Sequence, residues 1–213
     1  MDRDLADLRR EYSLQELSEA SVAADPFVQF SNWLEEYFNS GPLEPSAFVL
    51  STISSDGGPS SRVVLLKGLD PRGFVFFTNY ESKKARDLSN DPRAALHFFW
   101  PELERQINVA GVAEKVSREE SETYFKSRPI ESKLGAWASK QSEMLTTRKE
   151  LEERLHEVRT RFNSEDIPCP PFWGGYRVVP KRFEFWQGRP SRLHDRICYE
   201  PDNDSWKVFR LYP

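Results

Sequence analysis

Cysteine is nearly missing from this sequence. Its two copies, Cys169 and Cys198, form no metal-ligand spacing and are too few for a disulfide framework, so each reads as a lone buried thiol. No apolar run approaches the roughly 18 residues of a membrane span, and the opening MDRDLADLRREY is charged where a signal peptide needs an apolar segment. These absences predict a cytoplasmic protein. None of the ten glycines forms a GxGxxG, and the Gly68-to-Gly73 spacing that mimics a phosphate loop is followed by Phe74 where lysine belongs. His156-Glu157 begins a zinc-protease pattern, but Thr160 stands in the second histidine's position, so no metal site is expected. A net charge of only −4 with 30% charged residues argues against a broad nucleic-acid footprint.

What is present can bury a sizeable core. The 213 residues are 38% hydrophobic and 13% aromatic, which suits a single domain. Asp25-Pro26 ahead of FVQFSNWLEEYF, with Gly41 beyond, reads as a capped helix whose Phe27, Phe30, Leu34 and Phe38 share one face. From Ala47 the period becomes that of strands. AFVLSTIS, SRVVLLKG and FVFFTN, joined by turns at 55–58 and 70–73, read as a meander, with further strands at RAALHFFW and ERQINVAGVAEKV. Ser117 with Glu120 and Thr147 with Glu150 are capping boxes, the second opening a helix with a stripe of Leu151, Leu155, Val158 and Phe162. YRVVP, FEFWQG, RICYE and SWKVFRLY read as closing strands, the last two as a hairpin. Short connections favour antiparallel pairing. The expected fold class is α+β, mainly antiparallel β, a barrel with surrounding helices. Its parts are an arm at 1–24, a helix at 25–41, barrel strands at 45–116, helices at 117–165 and closing strands at 172–213.

Cations gather where these strands end. Arg62 and Lys67 flank VVLL, and their odd separation puts them on opposite faces of a regular strand. Lys83 and Lys84 open ESKKARDLS, an expected helix N-terminus whose free N–H groups and dipole favour a phosphate. Taken alone, such a pair is more often a solvated face.

The stretch EFWQGRPSRLHDR changes that weighting. Glu184, Phe185, Trp186 and Gln187 are followed, after four further positions, by Arg192, Leu193, His194, Asp195 and Arg196. This pattern resembles the C-terminal signature of the pyridoxine (pyridoxamine) 5′-phosphate oxidases. LRREY at 8–12, SRVVLLKG at 61–68, FFTNYESKKA at 76–85, ERQINVAG at 104–111, YFKSRP at 124–129, GAWASKQS at 135–142 and FWGGYRV at 172–178 look like that family's segments in the family's order. The resemblance covers nearly the whole chain.

It implies a split β-barrel homodimer that holds flavin mononucleotide (FMN) at its subunit interface. Such an enzyme oxidises pyridoxine or pyridoxamine 5′-phosphate with dioxygen to pyridoxal 5′-phosphate and peroxide, with neither nucleic acid nor membrane as partner. By the same resemblance Arg62, Lys67, Thr78, Lys83, Lys84 and Ser142 line the flavin's phosphate and ribityl side, with Val63, Val64, Leu65, Leu66 and Phe77 also on the cofactor side. Gln106, Gln141, Trp186 and Arg196 lie at the isoalloxazine ring or its surroundings. Lys67, Tyr124, Arg128 and Ser132 resemble the cradle for the substrate phosphate. Arg192 and His194 would close over the pyridine ring as the catalytic pair, with Leu193 between them and Arg9, Arg10, Glu11 and Tyr12 as a lid. Asp195 reads as structural, or as an ion-pair partner for Arg196. Two positions depart from the family: Glu143 stands where a second serine is common, and Lys83 where arginine is frequent. Two other classes are a related split-barrel flavin reductase and a non-enzymatic pyridoxal phosphate carrier. Arg192-Leu193-His194 together with Tyr124, Arg128 and Ser132 speaks against the first, and the colour of the purified protein separates the second.

Overall fold

The computed structural model describes residues 8, 10–162 and 166–213. Along the chain run α1 (Pro26–Asn39), β1 (Ala47–Ile53), β2 (Pro59–Leu65), β3 (Gly68–Asp70), β4 (Gly73–Asn79), α2 (Lys83–Asn90), β5 (Arg93–Trp100) and β6 (Arg105–Lys115). Then follow α3 (Arg118–Ser127), α4 (Ile130–Ala138), α5 (Arg148–Arg161), β7 (Trp173–Gln187), a 3₁₀ turn at Pro190–Arg192, β8 (Asp195–Asp202) and β9 (Ser205–Arg210). The strands form one sheet in the order β2-β1-β5-β6-β7-β4-β3, with β8 on β7 and β9 on β8. The fold is α+β and mainly antiparallel, as expected. Among the described residues no helix is long and apolar enough to cross a membrane.

The meander expectation fails after β2. SRVVLLKG does not run on as one strand into a hairpin with FVFFTN. The chain leaves β2 at Leu65, and the Lys67 N–H then donates to the Val75 carbonyl at 2.8 Å, so β3 pairs with the start of β4. The Asp70-to-Gly73 turn closes that short hairpin, and the other edge of β4 belongs to β7, with Phe74 opposite Val178. YRVVP and FEFWQG, expected as two strands, are one. Pro180 lacks an N–H and falls between the stretch of β7 paired with β4 and the stretch paired with β8, where it breaks neither ladder.

The chain folds into two compact units. The first comprises residues up to Val49, Ala95–Ala110 and Pro180–Pro213; the second comprises Leu50–Ala94 and Gly111–Val179. In the first, α1 begins with the Asp25 carboxylate accepting the Phe27 N–H at 2.7 Å and Pro26 in the first turn. Its buried face is Phe30, Trp33 and Tyr37; of the expected Phe27, Phe30, Leu34 and Phe38 only Phe30 is fully buried, Phe27 and Leu34 are half-buried, and Phe38 is 45% exposed. The reason lies in the ring partners. Phe30 packs edge-on to Phe98 at 4.9 Å, Trp33 on Phe185 at 5.3 Å, and Tyr37 stacks on Trp100 at 4.8 Å. Phe27 is half-buried and packs edge-on to Phe183 at 5.3 Å, so the helix keeps that edge of the stripe and turns Trp33 and Tyr37 inward ahead of Leu34 and Phe38. Asp25→Ala removes only the cap and is expected to cost about 1 kcal/mol of stability, read as a lowered denaturant midpoint at unchanged slope.

In the second unit, α3, α4 and α5 pack on a cluster of Phe125, Leu134, Ile167 and Trp173. Leu155, Val158 and Phe162 of the expected α5 stripe join it half-buried. The side chains of Ser117 and Thr147 accept the Glu120 and Glu150 N–H groups at 3.0 and 3.2 Å, so both capping positions are as expected.

Candidate active site

In the second unit the end of β2, the end of β4, the start of α2 and α3 line a cavity of about 500 Å³. Four cations face it, Arg62, Lys67, Lys84 and Arg128, and among the described residues no acid lines it. One wall is aromatic: Phe77 stacks on Tyr124 at 4.0 Å and on Trp173 at 5.5 Å. Strand alternation predicts Arg62 and Lys67 on opposite faces. Because the strand stops at Leu65, alternation does not carry through to Lys67, and both reach the same cavity.

Each cation is held differently. The Arg62 guanidinium donates through Nη1 to the Leu50 carbonyl at 3.0 Å and Thr52 Oγ1 at 2.8 Å, and through Nη2 to Ser60 Oγ at 2.6 Å. Behind it the buried Asp87 carboxylate accepts from Thr52 Oγ1 at 2.8 Å and lies 3.6 Å from Arg62 Nη2. Lys83 is drawn to the same carboxylate, 3.1 Å from Asp87 Oδ1, and to Ser54; it does not line the cavity. Lys84 points into the cavity, donating to Thr78 Oγ1 at 3.1 Å and Gln141 Oε1 at 2.9 Å. Burial, with Arg62 as a second cause, lowers the Lys84 ammonium to about 8. Arg128 lies over the Trp173 ring at 4.7 Å, and burial holds it below the usual arginine range. Its Nη1 is buried with no hydrogen-bond partner among the described residues.

In the first unit a cavity of about 450 Å³ is lined by Arg10, Glu11, Tyr12, Arg189, Arg192 and His194 among others. It forms where β7 ends. Beyond Gln187 the chain enters the 3₁₀ turn with Ser191 at φ 56° and Arg192 at φ 61°, a left-handed pair built without glycine. Such strain persists only where the surroundings over-determine it, and it clusters at functional sites. His194 Nδ1 accepts the Arg189 N–H at 3.1 Å, which leaves the proton of the neutral ring on Nε2. The ring lies 4.5 Å from Trp186 and 5.8 Å from Tyr12. Burial first and Arg192 second lower its pKa, opposed by Asp195. Asp195 pairs with Arg210 at 2.6 Å and accepts the Leu17 N–H at 3.0 Å. It is not the partner of Arg196. Arg196 is instead bidentate to Glu184, at 2.8 and 3.0 Å, because those two stand on paired strands, β8 and β7, near each other in register.

The expected residues therefore gather in two sets. Arg62, Val63, Val64, Leu65, Lys67, Phe77, Thr78, Lys84, Tyr124, Arg128 and Gln141 share one cavity, with Leu66 half-buried beside them. Arg10, Glu11, Tyr12, Arg192 and His194 share the other, while Leu193 is 69% exposed and turned away from it. Ser142 lies with Glu143 on a smaller pocket of about 190 Å³, so the acid does not line the four-cation cavity. Ser132 on α4 and Gln106 on β6 are half-buried, and Arg9 lies outside the described residues. Sequence reasoning missed Trp173, Arg189 and Asp87. Only Asp87 left a signal, its i,i+4 spacing from Lys83.

Comparison with known proteins gives a consistent result. The family model described as pyridoxamine 5′-phosphate oxidase matches residues 34–162, and that of the pyridoxine 5′-phosphate oxidase C-terminal dimerisation region matches 173–213. A protein of Microcystis aeruginosa named pyridoxine/pyridoxamine 5′-phosphate oxidase is 55% identical over 214 residues, covering 100% of both chains. One of the same name from Rubrobacter xylanophilus is 54% identical, covering 99% of this chain and 97% of its own. Among solved structures, PhzG from Burkholderia lata 383, in complex with tetrahydrophenazine-1-carboxylic acid, superposes with a TM-score of 0.87 at 32% identity, covering 94% of this chain and 100% of that one. An FMN-binding protein from Nostoc punctiforme, at 16% identity and a TM-score of 0.71 over 90% of this chain and 100% of that one, shares the fold. The split-barrel expectation agrees with these neighbours.

Proposed function

The chain belongs to the pyridoxamine 5′-phosphate oxidase family, and on that premise we propose that it oxidises pyridoxine 5′-phosphate and pyridoxamine 5′-phosphate to pyridoxal 5′-phosphate, with FMN as cofactor and dioxygen as oxidant. The observation that carries this reading is the acid-free cavity in which four cations meet an aromatic wall and Arg128 Nη1 is buried without a partner among the described residues. Arg62, Lys84 and Arg128 are half-buried, Lys67 stands at the exposed rim, and no carboxylate among the described residues lines the cavity itself, a set that favours an anionic occupant. A flavin phosphate and a substrate phosphate are two such anions.

The residues fit that cofactor. Arg62 is pre-aligned by Leu50, Thr52 and Ser60, so little ordering remains when it meets a phosphate. Lys84, Thr78 and Gln141 form a second donor group, and Ser142, Gln106, Trp186 and Arg196 complete the flavin side in this reading. Lys83, already paired with Asp87, contributes charge instead of a direct bond. Lys67, Tyr124, Arg128 and Ser132 take the substrate phosphate. Bound FMN supplies a two-electron acceptor that dioxygen restores, giving hydrogen peroxide.

The protein's own part is positioning. Arg192 lies along the pyridine ring and His194, neutral because burial lowers its pKa, donates from Nε2 to a ring substituent. Tyr12 and the arm around it keep water from the ring. With the amine substrate, the imine formed hydrolyses in water and releases ammonia. Residues 173–213, which match the dimerisation region, also carry Trp186, Arg192, His194 and Arg196. That overlap supports a homodimer with FMN at the interface of its copies. A single FMN-binding domain with the N-terminal arm as lid, working in the cytoplasm, is part of the same reading.

The test is aerobic incubation of the purified protein with pyridoxamine 5′-phosphate, following aldehyde and peroxide together. A yellow protein that forms both in equal amounts is expected. A colourless one that forms neither overturns the proposal. FMN affinity should also depend on pH in a definite sense. Lys84 is charged below about 8 in the free protein, and an adjacent phosphate favours the charged form. Binding is therefore expected to be flat between pH 7 and 8 and to weaken above about 8, by up to roughly tenfold per pH unit. Flavin fluorescence titration reads this, and Lys84→Met should flatten the profile.

A further inference from the structure

Residues 10–14 of the arm are held by one buried carboxylate. Glu104, 3% exposed and left-handed at φ 55°, accepts the Ser13 N–H at 2.8 Å and the Leu14 N–H at 3.1 Å through Oε2, and its Oε1 lies 3.3 Å from Arg10 Nη2. Its carbonyl accepts the Gly188 N–H at 2.8 Å. A Cβ added at Gly188 would stand 2.8 Å from Tyr12 Cβ and Cγ and 3.1 Å from Glu104 Cβ, so the glycine lets Tyr12 lie against the end of β7. Farther along, the buried Arg105 donates to Gln15 and the Leu17 N–H donates to Asp195. The product of these contacts is the place of Tyr12, edge-on to Trp186 and beside His194, both at 5.8 Å. A carboxylate buried for two backbone N–H groups of an otherwise exposed segment has no other evident use.

We propose that Glu104 is a positioning residue for the oxidation: it fixes the arm so that Tyr12 completes the wall of the cavity lined by Arg192 and His194. This rests on the functional reading above, in which that cavity takes the substrate ring. Glu104 itself touches neither substrate nor cofactor; it acts through Tyr12.

Three variants of the FMN-loaded protein test it: Glu104→Ala removes the acceptor, Leu14→Pro removes one donor on an exposed arm residue, and Gly188→Ala crowds Tyr12. Each is assayed for trypsin cleavage after the exposed Arg10, for flavin occupancy, and for KM and kcat with pyridoxine 5′-phosphate. Cleavage faster by roughly tenfold or more, KM raised by about tenfold, kcat nearly kept and occupancy unchanged are expected. Loss of flavin with unchanged KM would make Glu104 structural and overturn the proposal. So would faster cleavage with unchanged KM. If Glu104→Ala fails to fold, Leu14→Pro and Gly188→Ala carry the same outcomes. An unsubstituted protein that turns over no substrate would sink the oxidase reading and with it the positioning role, while cleavage would still report whether Glu104 holds the arm.

Discussion

Arg192→Lys and Arg192→Met are both expected to fold, to keep their flavin and to lose most of kcat/KM, on the order of a hundredfold. The guanidinium sits in a cavity wall on a left-handed backbone, beside a histidine whose pKa it helps to lower. A planar group can lie along an aromatic ring and hold it in register; an ammonium is a compact point charge without that face. The two variants differ in one respect. Arg192→Met removes a cation that lowers the His194 pKa, so the acid limb of the pH–rate profile moves to higher pH, whereas Arg192→Lys leaves it in place. Steady-state kinetics beside flavin content decides the matter. Near-normal turnover by Arg192→Lys at full occupancy would reduce Arg192 to general electrostatics.

Arg128→Ala is expected to cost about 1.5–3 kcal/mol of substrate binding, roughly ten- to hundredfold, with flavin content little changed. Its effect on the ligand-free protein should run the other way or be small. A buried Nη1 without a partner among the described residues opposes folding, and the contact with Trp173 offsets the gain from its removal. Weaker substrate binding in a protein no less stable marks a residue kept for a ligand and not for the fold. Two measurements suffice: the denaturant midpoint without ligand, and the ratio of kcat/KM for phosphorylated over unphosphorylated pyridoxine. An unchanged ratio would contradict a phosphate role for Arg128.

Much of the fold is legible in the sequence, for local reasons. The caps at Asp25, Ser117 and Thr147 are satisfied within three residues, so their patterns survive any tertiary context. The face of α1 is not legible in the same way: a hydrophobic count favours phenylalanines over Trp33 and Tyr37, although ring partners on β5 and β7 decide burial. Side-chain direction around Leu65 depends on where a strand stops, which alternation alone does not reveal. The separate fates of Lys83 and Lys84, and of Asp195 and Arg196, turn on carboxylates met only in three dimensions. Asp87 takes the first lysine and Glu184 takes Arg196. Glu104 is invisible as an anchor because its partners are backbone N–H groups 90 or more positions away.

The pairing of β4 with β7 has a consequence for biogenesis. Phe74 lies opposite Val178 and Asn79 opposite Trp173, so a strand made early must wait for about a hundred more residues before its partner exists. During synthesis, at about 5–20 residues per second, that wait lasts on the order of 5–20 seconds. Throughout it GFVFFTN, one of the most apolar segments of the chain, has only the three-residue β3 as a neighbour on one side and an open row of backbone groups on the other. The nascent chain is then a client for whatever shields unpaired strand edges, and stalling ribosomes before residue 173 should trap a species that aggregates when released, while release of the full 213-residue chain should not.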